Sequence, residues 1–231
     1  MQMILSPDGW LSKICCDDIS VPFTSNQGFF LQKGEEEVQV SCTRRDGCLS
    51  GFQDGIVFVA KYQLHGEYIS LQVRIENMSK AAFVGRIGFH IGVDSYMESY
   101  PQWHEPFFPT MLRCEKSHLW GYYMNTAGNA LAVATAGPVA SYDIRYNRLD
   151  DGDYGHRICG TDFLFIHDGA MPERHPQGLK SLAPGGVYEN VIYLIPVKEK
   201  NQIVSELSRI ADIPVLQADK YTCEPGEMLK F

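Results

Sequence analysis

Between Asp94 and Trp120 the chain reads DSYMESYPQWHEPFFPTMLRCEKSHLW. Tyr96, Tyr100, Trp103, Phe107, Phe108 and Trp120 stand there among Asp94, Glu98, His104, Glu105, Arg113, Glu115, Lys116 and His118. Flat apolar rings beside directional polar groups suit a sugar ring, which has one apolar face and a rim of hydroxyls. Trp103 would stack, while His104 and Glu105 would read hydroxyls or move protons. The same composition also suits a loop whose aromatics plug the end of a β-sandwich.

Three further groupings carry chemistry. Arg113 and Glu115 would share one face of a strand and Cys114 and His118 the other. They would orient a polar ligand or close on themselves as a surface ion pair. Asp150-Asp151-Gly152-Asp153-Tyr154-Gly155 precedes His156 and Arg157. Asp151 and Asp153 would offer oxygen ligands to calcium, but the closing Glu of an EF-hand is absent and an acidic glycine-rich turn serves equally as a solvated loop. Otherwise no cofactor is expected. His156 and Arg157 would point into a cleft at a sheet edge. Last, Pro172 and Pro176 frame Glu173, Arg174 and His175. Prolines stiffen that path, and the planar fork of Arg174 suits a carboxylate such as that of a uronic acid. A loop braced by an Arg–Glu contact is the alternative. The chain has no GxSxG elbow, Walker loop, GxGxxG or HExxH, and a carboxylate pair for glycoside hydrolysis is defined only in space.

The elements that must position these groups are mostly strands. Ile69, Leu71, Val73 and Ile75 alternate with Ser70, Gln72, Arg74 and Glu76, a period of two. Ile56 to Leu64, Phe83 to about Val93, Leu119 to Met124, Ala130 to Ala134, Ser141 to Arg145, Phe163 to His167 and Tyr188 to Val197 read as strands. Asn125 to Asn129 reads as a hairpin loop. Only Ile203, Leu207 and Ile210 show helical spacing, which predicts a helix over about 201–211 that stops before Pro214. The lack of repeating βα alternation argues against a Rossmann or TIM architecture. The expectation is an all-β protein: a large antiparallel β-sandwich with one late α-helix and loops at 94–118, 146–160 and 168–186. Residues 1–34 read as a short lead.

At 231 residues the chain favours one large domain. Hydrophobic residues make up 45% and charged residues 21%, as in an ordinary globular protein. The net charge of −8 and the lack of a basic stripe argue against nucleic acid as a partner. No apolar run is long enough for a membrane span. Seven cysteines without repeated spacing do not form a disulfide framework; Cys42 and Cys48 would flank a hairpin close enough to pair, with free buried thiols the favoured reading. The start lacks the pattern of a signal peptide. The tail 214–231, ending Glu224-Pro225-Gly226-Glu227 and then Met228 to Phe231, reads as a turn leading into a downstream domain.

The segments GFHIGVDSYMESYPQWHEPFFPTMLRCEKSHLWGYY, GHRI, PERHPQ and the stretch from Leu182 to Pro196 resemble the N-terminal β-sandwich of large bacterial polysaccharide-degrading proteins. The resemblance spans residues 35 to 225. It implies a supersandwich, galactose-mutarotase-like fold that packs beside a catalytic module, often an α/α-barrel. It also implies an accessory role in a glycoside hydrolase or polysaccharide lyase, an oligo- or polysaccharide partner, acidic ones included, and a downstream catalytic domain in the same polypeptide. A periplasmic or extracellular location follows if a leader was removed, and a cytoplasmic one otherwise. True mutarotases use a His acid and a Glu base. This chain has no NHxYFNL-like segment, and Glu189 is a poor substitute for their late glutamate. A stand-alone mutarotase or epimerase would draw on His104, His118, His156 or His175 against Glu105, Glu115 or Glu173; a purely structural interaction domain is the third reading. The candidate ligand-binding set is Trp103, His104, Glu105, Arg113, His118, His156, Arg157, Arg174 and His175, expected to meet at one rim of the sandwich.

Overall fold

A computed structural model describes residues 1–92, 106–148, 156–214 and 224–228, with the backbone alone for 147–148 and 156–159. In chain order the strands are β1 (Gln2–Leu5), β2 (Leu11–Cys16), β3 (Ile19–Pro22), β4 (Gly28–Lys33), β5 (Glu36–Gln39), β6 (Cys42–Arg45), β7 (Cys48–Gln53), β8 (Ile56–Leu64), β9 (Ile69–Asn77), β10 (Phe83–Val84) and β11 (Arg86–Gly92). They continue as β12 (Phe108–Cys114), β13 (Leu119–Met124), β14 (Ala130–Thr135), β15 (Ser141–Arg148), β16 (His156–His167), β17 (Ser181–Leu182) and β18 (Val187–Val197). A short 3-10 turn, Lys200–Gln202, leads into α1 (Ile203–Ala211).

Two antiparallel sheets form the sandwich. One has eight strands in the order β12-β13-β14-β18-β9-β8-β7-β6; the other has five, β15-β16-β11-β4-β5. Side chains that alternate along each strand fill the space between them. Ile69, Leu71, Val73 and Ile75 of β9 face Phe29 of β4, Phe89 of β11 and Phe163 and Phe165 of β16 in one continuous core. The hairpins β6–β7 and β7–β8 turn on Asp46-Gly47 and Asp54-Gly55. All four residues have positive φ, the backbone that matches a two-residue turn to the twist of its strands.

The expected alternation, hairpin loop and late helix are present, and the fold is the all-β sandwich read from the sequence. Three details differ. Residues 1–34 are structured: β1, β2 and β3 make a small sheet and β4 belongs to the five-stranded one. The Phe83–Val93 run breaks at Gly85, whose φ of 143 is closed to other residues, so β10 pairs with β17 while β11 joins the five-stranded sheet. Within the span read as the loop 94–118, residues 108–114 are β12, and part of the loop 146–160 belongs to β15 and β16. Cys42 and Cys48 are free thiols, the reading favoured from the sequence. Their strands pair Cys42 with Gly51 and Arg45 with Cys48, so the two sulfurs do not face each other.

Helix α1 packs on the outer face of the eight-stranded sheet. Ile203, Leu207 and Ala211 lie against Ala130, Ala132 and Ala134 of β14 and Ile195 and Val197 of β18. That is why every residue of β14 is buried although only half of them point into the sandwich. No helix among the described residues is long and apolar enough to cross a membrane.

Candidate functional site

The turn between β12 and β13 places Arg113, Glu115 and His118 at one end of the sandwich. The Glu115 N–H donates to the His118 carbonyl at 2.9 Å, which closes the turn. The strand face imagined from sequence therefore ends at Cys114. Arg113 reaches Glu115 at 3.4 Å as an exposed ion pair, a contact worth roughly 0–1 kcal/mol. His118 tucks under the turn, 8% exposed, with Nδ1 2.8 Å from the Ser117 hydroxyl.

The proline-framed segment meets the same end. The His175 N–H donates to the Pro172 carbonyl at 2.9 Å, so a tight turn carries Arg174 outward and His175 inward. His175 is 4% exposed, and its Nδ1 lies 3.2 Å from the Ala140 carbonyl. A carbonyl only accepts, so Nδ1 carries the proton and Nε2 presents a lone pair. The Cys114 thiol donates to the Val139 carbonyl at 3.4 Å. The segment 136–140 thus ties the two turns together.

Burial holds both imidazoles below the usual histidine range. The Glu115 carboxylate opposes this at each, and Arg174 reinforces it at His175. Glu115 also acts on Cys114, which burial pushes up to about 12. A thiol so placed is no nucleophile near neutral pH. Both Nε2 atoms are buried and without a hydrogen-bond partner. Buried imidazole nitrogens normally have one, so each Nε2 is an unsatisfied acceptor closed off from solvent.

A stability prediction follows. His118 and His175 have folded values below the unfolded value of 6.5, so the unfolded chain binds more protons as pH falls. Their contribution is intact above 6.5 and is lost as pH drops through the folded values. Melting temperatures measured from pH 7.5 to pH 5 should fall, and His175→Gln should flatten the slope. An unchanged slope in that variant would show that His175 is not a source of it.

Of the nine expected site residues, Trp103, His104 and Glu105 lie outside the described residues, as do Asp151 and Asp153. Arg113, His118, Arg174 and His175 come together. His156 and Arg157 do not join them: they open β16, paired with Arg148 and Asn147, whereas residues next to Ala140 pair with Leu164. At about 3.3 Å per residue, seven or eight residues of strand put them roughly 25 Å away. Among the described residues no three His, Cys, Asp or Glu side chains gather to hold a metal.

A second polar constellation was not anticipated. On the five-stranded sheet Asp162 accepts from His90 Nδ1 at 2.6 Å and from Arg145 at 2.7 and 3.2 Å. Arg145 reaches on to Glu37 at 2.7 Å and lies over the Phe30 ring. Gly160 makes room, since a Cβ there would meet the His90 ring. The available signal was Asp162 itself, a charge inside the apolar run Thr161 to Ile166, which requires a partner.

No family model matches the chain, and no curated protein matches it. Among solved structures it is similar to the polysaccharide lyase BACCELL_00875, with a TM-score of 0.61 and 13% identity over 90% of this chain and 34% of that one. At that identity the likeness concerns the fold, and the chain spans about a third of the lyase's length. The Slr1438 protein from Synechocystis sp. PCC 6803 overlaps with a TM-score of 0.29 and 12% identity, covering 84% of this chain and 75% of that one, too loosely to carry any argument.

Proposed function

We propose that this chain is a carbohydrate-associated β-sandwich, without catalysis of its own, that serves a larger glycan-degrading protein and packs beside its catalytic domain. The observation that carries the reading is the sandwich end where exposed Arg113 and Arg174 flank two buried imidazoles, each with an unpartnered Nε2. The two exposed guanidinium forks pair with carboxylates and donate to hydroxyl oxygens. Acidic oligosaccharides meet both requirements. The overlap with part of a polysaccharide lyase supports the setting.

Calorimetric titration with oligogalacturonates tests the reading. Binding should weaken as salt rises, and Arg174→Ala should weaken it by roughly tenfold. Silence across a panel of acidic and neutral oligosaccharides would remove it. A second reading, a mutarotase-like enzyme, draws on Glu115 acting on both imidazoles. Polarimetry of fresh α-glucose or α-galactose decides it: acceleration that Glu115→Gln abolishes would favour that enzyme, and no acceleration would exclude it for these sugars.

A further inference from the structure

Beyond the segment 136–140, on the far side from the histidines, the outer face of the eight-stranded sheet holds an open groove of about 680 Å³. The strand register makes its floor a lattice. One row runs Lys61, Gln72, Val191, and the next Val59, Arg74, Glu189. Arg74 lies flat between two carboxylates, 2.6 Å from Glu189 and 2.7 Å from Glu76.

Charge and covering argue about the occupant. Lys61, Arg74 and Glu189 are the charged lining, and Glu76, just beyond it, pairs with Arg74, so with that neighbour counted the four charges cancel. The floor offers carboxylate lone pairs and the Gln72 amide beside the methyl groups of Val59 and Val191. The strip of this sheet face under α1 is lined by Ala130, Ala132, Ala134, Ile195, Val197 and Trp120. The groove has a charged or amide side chain in each of these rows, and burying it under another protein would strip those groups of water at high cost. A ligand that exchanges hydroxyl for water escapes that cost. Beside the groove, Tyr193 follows Val191 on the same face and meets the stacked pair Tyr68 and His65, whose centroids are 4.3 Å apart.

We infer that this groove is a second saccharide site, separate from the arginine-flanked end, and that it takes an uncharged stretch of glycan. The inference rests on the carbohydrate reading above. Hydroxyls donate to Glu189 and accept from Gln72, and the apolar ring face lies on the valines.

Backbone amide shifts during titration separate the two ideas. Linear hexasaccharides of glucose, mannose and galactose are the neutral probes, and one of galacturonate is the acidic probe. A neutral probe should move amides of β8, β9 and β18, with an affinity unchanged by salt. Gln72→Ala, at an exposed position, should weaken it roughly tenfold. Glu189→Gln should leave the floor positive and admit the galacturonate probe. If neutral probes leave these strands unmoved while an acidic one moves the Arg113–Leu119 turn, the groove proposal alone fails. Silence everywhere overturns both. Galacturonate entering the unmodified groove overturns the charge argument. A dimer that Val59→Asp dissociates would assign the face to a second copy and overturn the proposal as well.

Discussion

Asp162→Ala lowers the unfolding free energy by about 3–5 kcal/mol, the scale of breaking a buried ion pair from one side. Urea denaturation reads the loss directly. The carboxylate is nearly buried, 10% exposed, and holds two partners at once. Without it the His90 Nδ1 loses its acceptor inside a residue that is 1% exposed. Arg145 keeps Glu37 but loses the inner half of its pairing. Asp162→Asn retains an acceptor without the charge and should cost less. Glu37→Ala removes the outer, better hydrated partner and should cost about 1 kcal/mol or less. If Asp162→Ala cost no more than Glu37→Ala, the network would be surface decoration and not part of the interior.

Phe89→Ala is the second large effect, again about 3–5 kcal/mol. The ring is fully buried and packs edge-on against Trp10 at 5.5 Å and Phe29 at 5.2 Å, with Phe29 against Phe58 at 5.2 Å. Deleting it opens a cavity between the sheets and removes two aromatic contacts worth about 0.5–1.5 kcal/mol each, part of the same total. Trp10 sits in the turn between β1 and β2, so the small N-terminal sheet should loosen with the core. Phe89→Leu keeps most of the volume and should recover more than half of the loss. A cost below about 1 kcal/mol for Phe89→Ala would mean that the sheets collapse around the gap.

Local pattern accounts for what was legible. β9 alternates cleanly because one face is core and the other water, so it reads as a strand without context. β14 reads ALAVAT because helix α1 hides its outer face, a fact that lies some seventy residues downstream. β12 was lost inside the aromatic segment since Pro109 and a register shift between Pro109 and Met111 break its period. The same limit governs the site. His118 and His175 stand out as polar residues in constrained turns, and the fold does bring them together. His156 and Arg157 stand out equally, but where β16 begins decides which end of the sandwich they occupy. The His90–Asp162 pair depends on the register of β11 against β16, a long-range property. Only the oddity of a carboxylate in an apolar strand hinted at it.

Helix α1 also decides how this sandwich can be cut. Its nine residues are the lid over an alanine-lined strip that ends in Trp120, and Ile213 continues the seal past the helix. A shortened version stopping at Val197 would keep every strand, yet leave that greasy stripe bare and prone to self-association. Trimming or fusion is safe only on the far side of Ile213.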